Sequence, residues 1–118
     1  MTSMKKEIWF TPAYEPSIIS GDLTRTFRGA LAPQKNNNYQ PGNLVLCKFH
    51  VNGSFSSNAY LLEVLRAGEV NIRDLKDTDF NRSDMHSSEE LLERFQTFYG
   101  RQYRDADRIR IIDFKYMF

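Results

Sequence analysis

The sequence predicts a single α+β domain. Apolar residues recur at every second position over residues 43–50 and again over residues 108–118, which is typical of strands with one buried face. A capped, amphipathic helix is indicated after Ser87. The length of 118 residues is enough for one hydrophobic core but not for two independent ones. We therefore expect residues 1–118 to form one domain of short strands and few helices.

The first third of the chain is predicted to contain two strands and a short helix. Residues 7–10 (Glu-Ile-Trp-Phe) favour a strand, because Trp and Phe suit a half-buried pleated surface. A short helix is predicted to begin at Pro16 and end at Gly21, since proline suits the first helical position and glycine the residue after the last. Residues 24–28 are predicted to form the second strand.

A long irregular loop is predicted next, over residues 29–42, which include two prolines and three asparagines. A loop of this length in a small domain is typically a lid, a binding loop or a disordered insertion. Residues 43–50 then predict a strand, with Val45, Cys47 and Phe49 on one face.

The following strand is predicted to form a hairpin with residues 43–50. Asn52 and Gly53 are the residue pair that a tight hairpin turn prefers. Residues 59–66 are compatible with a helix or a strand, and the preceding turn signal favours the strand. Residues 72–80 are predicted to be a short helical or turn segment at the surface.

The clearest helix is predicted to begin after Ser87 and to end at Gly100. Ser87 and Glu90 have the spacing of a capping box. Residues 108–118 then form the predicted last strand. The apolar face of the helix consists of Leu91, Leu92, Phe95 and Phe98.

Composition excludes several classes of protein. The net charge is +1, so no global field attracts nucleic acid, although residues 1–59 carry six Lys and Arg against three Asp and Glu. The single cysteine excludes an internal disulfide and suits a reducing compartment. We expect no signal peptide, because no apolar segment follows residues 1–6, and no apolar run reaches the ~18 residues that a membrane helix needs. We expect a cytoplasmic protein without a membrane partner.

A row of polar side chains is predicted on the second strand. If residues 24–28 are extended, Thr24, Thr26 and Arg28 lie on one face, which suits an acidic or hydrogen-bonding ligand. The alternative is an exposed edge strand, on which threonine is common and arginine only solubilises. We include the neighbouring Arg25 in the candidate ligand-binding set.

Other candidate sites are weaker or local. Cys47, His50 and His86 are the only strong metal ligands of the sequence and are too few to predict a metal site, and no cofactor motif is present. Cys47 lies on an apolar strand face, which favours an inert core thiol over a nucleophile. Asp84 precedes the helix cap in a polar stretch and is either a turn residue or a candidate catalytic acid.

Basic and aromatic residues near the end of the predicted helix form a second candidate surface for nucleic acid. They would bind phosphates and stack bases, or else complement the helix dipole. Tyr39, in the predicted loop, is a further candidate to contact a base, and we expect residues 29–42 to be mobile. The candidate nucleic-acid contacts are Arg28, Arg101, Tyr103, Arg104 and Arg108.

The order of these motifs resembles the ASCH domain family, a branch of the PUA-like superfamily. The family opens with I-x-F, a spacer and I-L-x-G-x-K-T-x-T-x-R. The matching residues are Ile8-Trp9-Phe10, Tyr14 and Ile18-Ile19-Ser20-Gly21-Asp22-Leu23-Thr24-Arg25-Thr26-Phe27-Arg28. Looser matches are Gly42-Asn43-Leu44-Val45, Leu62-Glu63-Val64, Asp84 with Ser88-Glu89-Glu90-Leu91 and Tyr99, and Ile111-Ile112-Asp113-Phe114.

The resemblance covers residues 7–116 and implies a small mixed β-barrel flanked by short helices, with a cleft lined by the motif strand. It implies a role in RNA or modified-nucleoside metabolism. Some small bacterial members are amidohydrolases that act on N4-acetylcytidine with a motif lysine, a threonine and an acidic residue. By position, the threonine is Thr26, the acidic residue is Asp84, and the lysine is replaced by Leu23.

The replacement at Leu23 favours binding over catalysis. A threonine hydroxyl needs an adjacent base to act as a nucleophile, and leucine supplies none. The first hypothesis is therefore an RNA- or nucleotide-binding domain whose cleft uses the Gly21–Arg28 motif. The alternatives are a hydrolase, either an amidohydrolase or a ribonuclease, that uses Thr26 and Asp84, and a protein-interaction domain.

Overall fold

The computed structural model describes residues 6–29 and 39–117, and these contain five strands and two α-helices. Three short 3₁₀ helices, Pro12–Tyr14, Ile72–Asp74 and Asp77–Phe80, lie between them. The strands are β1 (Lys6–Phe10), β2 (Arg25–Gly29), β3 (Leu44–Val51), β4 (Ser54–Asn71) and β5 (Arg108–Met117), and the helices are α1 (Glu15–Ser20) and α2 (Ser88–Tyr99).

The five strands form one curled sheet, a half-barrel, in the order β1-β3-β4-β5-β2. β1 pairs with β3 in parallel, and all other pairs are antiparallel. The curl brings the two edge strands close enough for a side-chain contact. The Arg28 guanidinium on β2 donates a hydrogen bond to the Trp9 carbonyl on β1 at 2.8 Å. Side chains therefore close the gap between β1 and β2, which we call the seam.

The inner face of the half-barrel holds the first hydrophobic core. Val45, Cys47 and Phe49 of β3 are all fully buried there, as their predicted shared face requires. Alternation along β5 places Ile112 and Phe114 on the same inner face.

A second core lies between the outer face of the sheet and α2. Phe27 of β2 and Ile109 of β5 contribute to it from the sheet, and Leu91 and Phe95 contribute from the helix. α2 therefore covers the outer face at β2 and β5. The outer face of β1, β3 and the first half of β4 carries large exposed side chains, among them Trp9.

The turn and cap signals are confirmed. Asn52 and Gly53 have φ of 51° and 81°, and a type I′ turn requires positive φ at both positions. The Ser87 side chain accepts a hydrogen bond from the Glu90 backbone N–H at 3.1 Å, and α2 ends at Gly100 with φ of 69°.

One strand is much longer than predicted. The preference for a strand over a helix at residues 59–66 is confirmed, but β4 spans 18 residues. Its first half pairs with β3 and its second half with β5. The pairing register shifts between Val64 and Arg66, so the alternation of side chains between the two faces breaks there. Because of this break, the sequence pattern does not show that the strand is continuous.

No helix of residues 6–29 and 39–117 combines the length and apolar character that crossing a bilayer requires.

We predict that the core at Phe49 contributes strongly to stability. Phe49→Ala should lower the free energy of unfolding by about 3–5 kcal/mol, because the deleted ring leaves a cavity in a packed core. Phe98→Ala is the matched control, since Phe98 is 59% exposed and its removal should cost about 0.5 kcal/mol or less. Urea unfolding monitored by circular dichroism measures both. Equal losses would contradict this assignment of the core.

Candidate ligand-binding site

A buried carboxylate lies at the centre of the motif region. Asp84 is only 6% exposed, and its Oδ2 accepts a hydrogen bond from the fully buried Thr26 hydroxyl at 2.6 Å. The Arg28 guanidinium lies 3.7 Å from the same oxygen. Asp84 Oδ1 is buried without a hydrogen-bond partner among the described residues. We call Thr26, Arg28 and Asp84 the buried cluster.

Backbone pairing brings Asp84 to Thr26. The backbone N–H groups of Thr24 and Arg25 both donate to the Arg82 carbonyl, at 2.8 and 3.1 Å. Arg25 and Ser83 form an isolated parallel bridge. Residues 82–84 therefore run beside the start of β2, and the side chain of Asp84 reaches the inner side of that strand.

Tyr14, which belongs to the opening motif, and Arg94, which the sequence did not single out, support this arrangement. The Tyr14 hydroxyl donates to the Asp84 carbonyl at 3.2 Å, and Arg94 of α2 donates to the Tyr14 hydroxyl. The side chain of Tyr14, the aromatic residue of the opening motif, therefore contacts the backbone of Asp84. The position of Tyr14 in the motif was a signal for this role, whereas Arg94 lies 80 residues away and carried none.

Arg28 serves the seam as well as the buried cluster. Besides its contact with Asp84, its guanidinium donates to the Trp9 carbonyl and lies 4.9 Å from the centroid of the Phe10 ring. The side chain is 15% exposed. Most of its hydrogen-bonding capacity is therefore used within the protein.

Burial raises the pKa of the Asp84 carboxyl above its usual value. The positive charge of Arg28 and the hydrogen bond from Thr26 lower it, but the loss of solvation has the larger effect. Asp84 therefore holds a proton more readily than an exposed aspartate does.

The lysine position of the family motif lies in the hydrophobic core. Leu23 is buried on the inner face of the half-barrel, together with Phe10 and Ile18. Its surroundings suit leucine and would disfavour a charged ammonium group.

The predicted row of Thr24, Thr26 and Arg28 is split, and this is a correction. β2 begins only at Arg25, so the alternation does not extend to Thr24. Thr26 and Arg28 face Asp84, whereas Thr24 and Arg25 line a separate open cleft.

Arg25 lines the cleft, but its charge is already paired with carboxylates of the protein. Its Nε and one terminal nitrogen donate to the two carboxylate oxygens of Asp113, at 2.6 and 3.1 Å. Its other terminal nitrogen lies 3.5 Å from a carboxylate oxygen of Asp79. The hydrogen bonds to Asp113 raise the pKa of Arg25, so the group stays charged and fixed.

The open cleft has a volume of about 660 Å³ and lies between the end of α1, the end of β5 and the bulge of β4. We call it the motif cleft. It is lined by Ile19, Ser20, Gly21, Thr24, Arg25, Leu65, Arg66, Thr78, Asn81, Arg82 and residues 113–116.

Two aromatic side chains predicted to contact bases are buried, and these are also corrections. Tyr39 belongs to the inner core, and its hydroxyl donates to the Glu7 carbonyl at 2.6 Å. Tyr103 packs against Phe95 and Tyr99 in the second core. Their rings are taken up by the core and offer no face to a base. Most of the predicted mobile loop, residues 30–38, lies outside the described residues.

The C-terminal arginines lie away from the motif cleft. Arg101 pairs with Asp107 at 3.6 Å, Arg108 lies 3.9 Å from Glu69, and Arg104 is exposed. Arg108 begins β5, whereas the cleft is at the end of that strand. Seven residues of strand separate it from Lys115, a distance of roughly 23 Å.

The structure gives Cys47 no catalytic setting. Burial raises the pKa of its thiol to about 12, so the reactive thiolate is disfavoured. Within residues 6–29 and 39–117, no group of three His, Cys, Asp or Glu side chains is placed to hold a metal ion.

We predict that Asp84 makes stability fall with rising pH. Its pKa is raised in the folded protein, so its contribution is fully present below the unfolded value of about 3.9 and is lost as pH rises through the folded value. The free energy of unfolding of the wild type minus that of Asp84→Asn should therefore decrease from about pH 4 towards neutrality. Urea titrations at several pH values measure it. An increase would show that the Arg28 pairing outweighs burial.

Comparison with known proteins identifies the fold. No family sequence model and no curated protein matches the chain. Protein EF3133 of Enterococcus faecalis V583, of family DUF984, matches with a TM-score of 0.73 and 9% identity over 99% of this chain and 83% of that protein. An ASCH domain from Lactobacillus crispatus JV V101 matches with a TM-score of 0.61 and 12% identity, over 88% of this chain and 70% of that domain.

The hypothetical protein PH0355 is also similar, with a TM-score of 0.64 and 15% identity over 97% of this chain and 100% of that protein. These likenesses agree with the motif order and with the curled sheet. The chain therefore has the α+β, PUA-like fold of ASCH domains.

Proposed function

We propose that the domain binds RNA or a nucleotide in the motif cleft. The observation that carries this proposal is the charge of the cleft lining. Four cationic side chains, Arg25, Arg66, Arg82 and Lys115, surround the single carboxylate of Asp113. Because Asp113 is already paired with Arg25, the surplus charge is available to a phosphate.

Arg66 and Lys115 are the best candidates to bind phosphate. Neither side chain forms an ion pair or hydrogen bond with any part of residues 6–29 and 39–117, whereas Arg82 donates to the Gly21 carbonyl. Lysine and arginine side chains that neutralise phosphates supply most of the affinity of non-specific nucleic-acid binding.

The remaining lining suits the other parts of a nucleotide. Ile19 and Leu65 are exposed apolar side chains that a base or a sugar can cover. Thr24 adds a hydroxyl group that can donate or accept a hydrogen bond. A volume of about 660 Å³ lies within the range of small-molecule sites.

We predict that Arg66→Ala and Lys115→Ala each weaken binding of fluorescein-labelled hexaadenylate. Each should also reduce the slope of log affinity against log salt by about 0.7, because one phosphate contact is lost. Fluorescence anisotropy across a salt series measures both effects.

Arg104→Ala is the control, because Arg104 is exposed but precedes the start of β5, at the end of that strand away from the cleft. It should leave affinity and salt slope close to those of the wild type. An equal loss in all three variants would mean that the charge effect is diffuse and would contradict a site in the motif cleft.

A hydrolase is the second candidate function, and the contact between Thr26 and Asp84 favours it. A hydroxyl that donates to a carboxylate at 2.6 Å is the geometry of a nucleophile and its base. Both groups are buried, however, and Leu23 holds the lysine position within the core. Binding therefore has the stronger support.

We expect no measurable hydrolysis of N4-acetylcytidine by the wild-type protein, since the buried cluster lacks the lysine and access for a substrate. Chromatographic detection of cytidine after long incubation is the measurement. Clear turnover that disappears in Thr26→Val would overturn this expectation and favour the hydrolase.

A further inference from the structure

Three aromatic rings form an exposed cluster on the outer face of the sheet. Trp9 of β1 stacks on His50 of β3, with ring centroids 5.3 Å apart and planes 26° from parallel. Phe55 of β4 contacts both rings, at 4.8 and 4.9 Å. Trp9 is 51% exposed and Phe55 is 43% exposed. We call these three rings the aromatic platform.

The platform is held in place without being covered. The Trp9 indole N–H donates to the Glu7 carboxylate at 3.0 Å, and Lys48 Nζ lies 5.2 Å from the centroid of the Phe55 ring. Lys48 also pairs with Glu7 at 2.9 Å. Preordered rings lose little conformational freedom when a flat ligand stacks on them.

The platform and the motif cleft lie on the same side of the sheet. Alternation along β5 places Lys115 on the outer face, opposite the inward-facing Phe114. Three strand spacings, about 14 Å, separate β5 from β1, and the strand register places Trp9 about four residues, or about 13 Å, further along the strands than Lys115. The cleft and the platform are therefore about 19 Å apart on a flat sheet. Small single-strand-binding domains cover sites of about four nucleotides or more, which is enough to bridge this distance.

We infer that the outer face carries single-stranded RNA from the motif cleft to the aromatic platform. This inference rests on the proposed function and adds the class of ligand. Phosphates would be bound by Arg66 and Lys115, and a base further along the strand would stack on Trp9. Stacking on aromatic rings tolerates any base, so the site would have little sequence preference.

The charges along this path are compatible with a polyanion. Glu7 is paired with Lys48 at 2.9 Å. Glu63 lies opposite Lys115 in the pairing of β4 with β5 and offsets one positive charge of the cleft, although no ion pair joins the two side chains within residues 6–29 and 39–117. Arg66 and Arg82 add to the positive charge of the cleft lining, so the path is positive where it begins.

Trp9 is the only tryptophan of the chain, so its fluorescence reports on the platform directly. Hexaadenylate should quench this emission, whereas adenosine monophosphate, which fills the motif cleft alone, should leave it unchanged. Trp9→Ala should weaken hexaadenylate binding about tenfold, and Trp9→Phe, which keeps a ring, much less. Phe98→Ala is the control for loss of an exposed ring elsewhere.

The outcomes separate this inference from the function on which it rests. If neither hexaadenylate nor adenosine monophosphate binds, both fail, whereas binding of adenosine monophosphate alone leaves the proposed function standing and refutes the inference. If hexaadenylate binds through Arg66 and Lys115 but Trp9→Ala binds as tightly as the wild type, the inference alone is wrong. If light scattering shows a dimer that Trp9→Ala dissociates, a second copy occupies the platform and the inference is overturned.

Discussion

The arrangement of the domain depends on how the carboxylate of Asp84 is accommodated away from water. A buried carboxyl needs hydrogen bonds or a nearby positive charge, and Thr26 and Arg28 of β2 supply both. This requirement ties the segment before α2 to the strand. Arg28 then extends the connection to β1 through the Trp9 carbonyl, so one polar cluster links α2, β2 and the seam.

The same constraint divides the motif into two parts with different roles. The second half, from Thr26 to Arg28, supports the buried cluster and the seam. Gly21, Thr24 and Arg25 of the first half line the open cleft, where the Arg25–Asp113 pair fixes the surface and leaves other cations available. The sequence of residues 21–28 predicts one polar row, but its second half stabilises the fold and its first half lines the cleft.

Local signals explain which parts of the fold were predictable. The turn at Asn52 and Gly53 and the cap at Ser87 depend on a few neighbouring residues, so the sequence alone identified them. The burial of Tyr39 and the pairing of Arg25 with Asp113, 88 residues apart, depend on how the sheet curls. An aromatic or a charged residue looks the same in sequence whether it meets a ligand or the protein itself.

The candidate site was predictable only in part for the same reason. The family resemblance assigned Thr26 and Asp84 to one site, and the structure brings the two side chains within hydrogen-bond distance. Arg66 and Lys115 carried no signal, because they lie on strands distant in sequence that meet at the cleft only after folding.

The location of the ligand is the central claim, and an NMR titration of ¹⁵N-labelled protein with hexaadenylate tests it most directly. We expect the largest chemical-shift changes at the amides of Gly21, Arg66 and Lys115, with small changes at Asp84 and Arg94. Changes concentrated at Asp84 and Arg94, with the motif cleft unaffected, would contradict the account and place the ligand in the buried cluster.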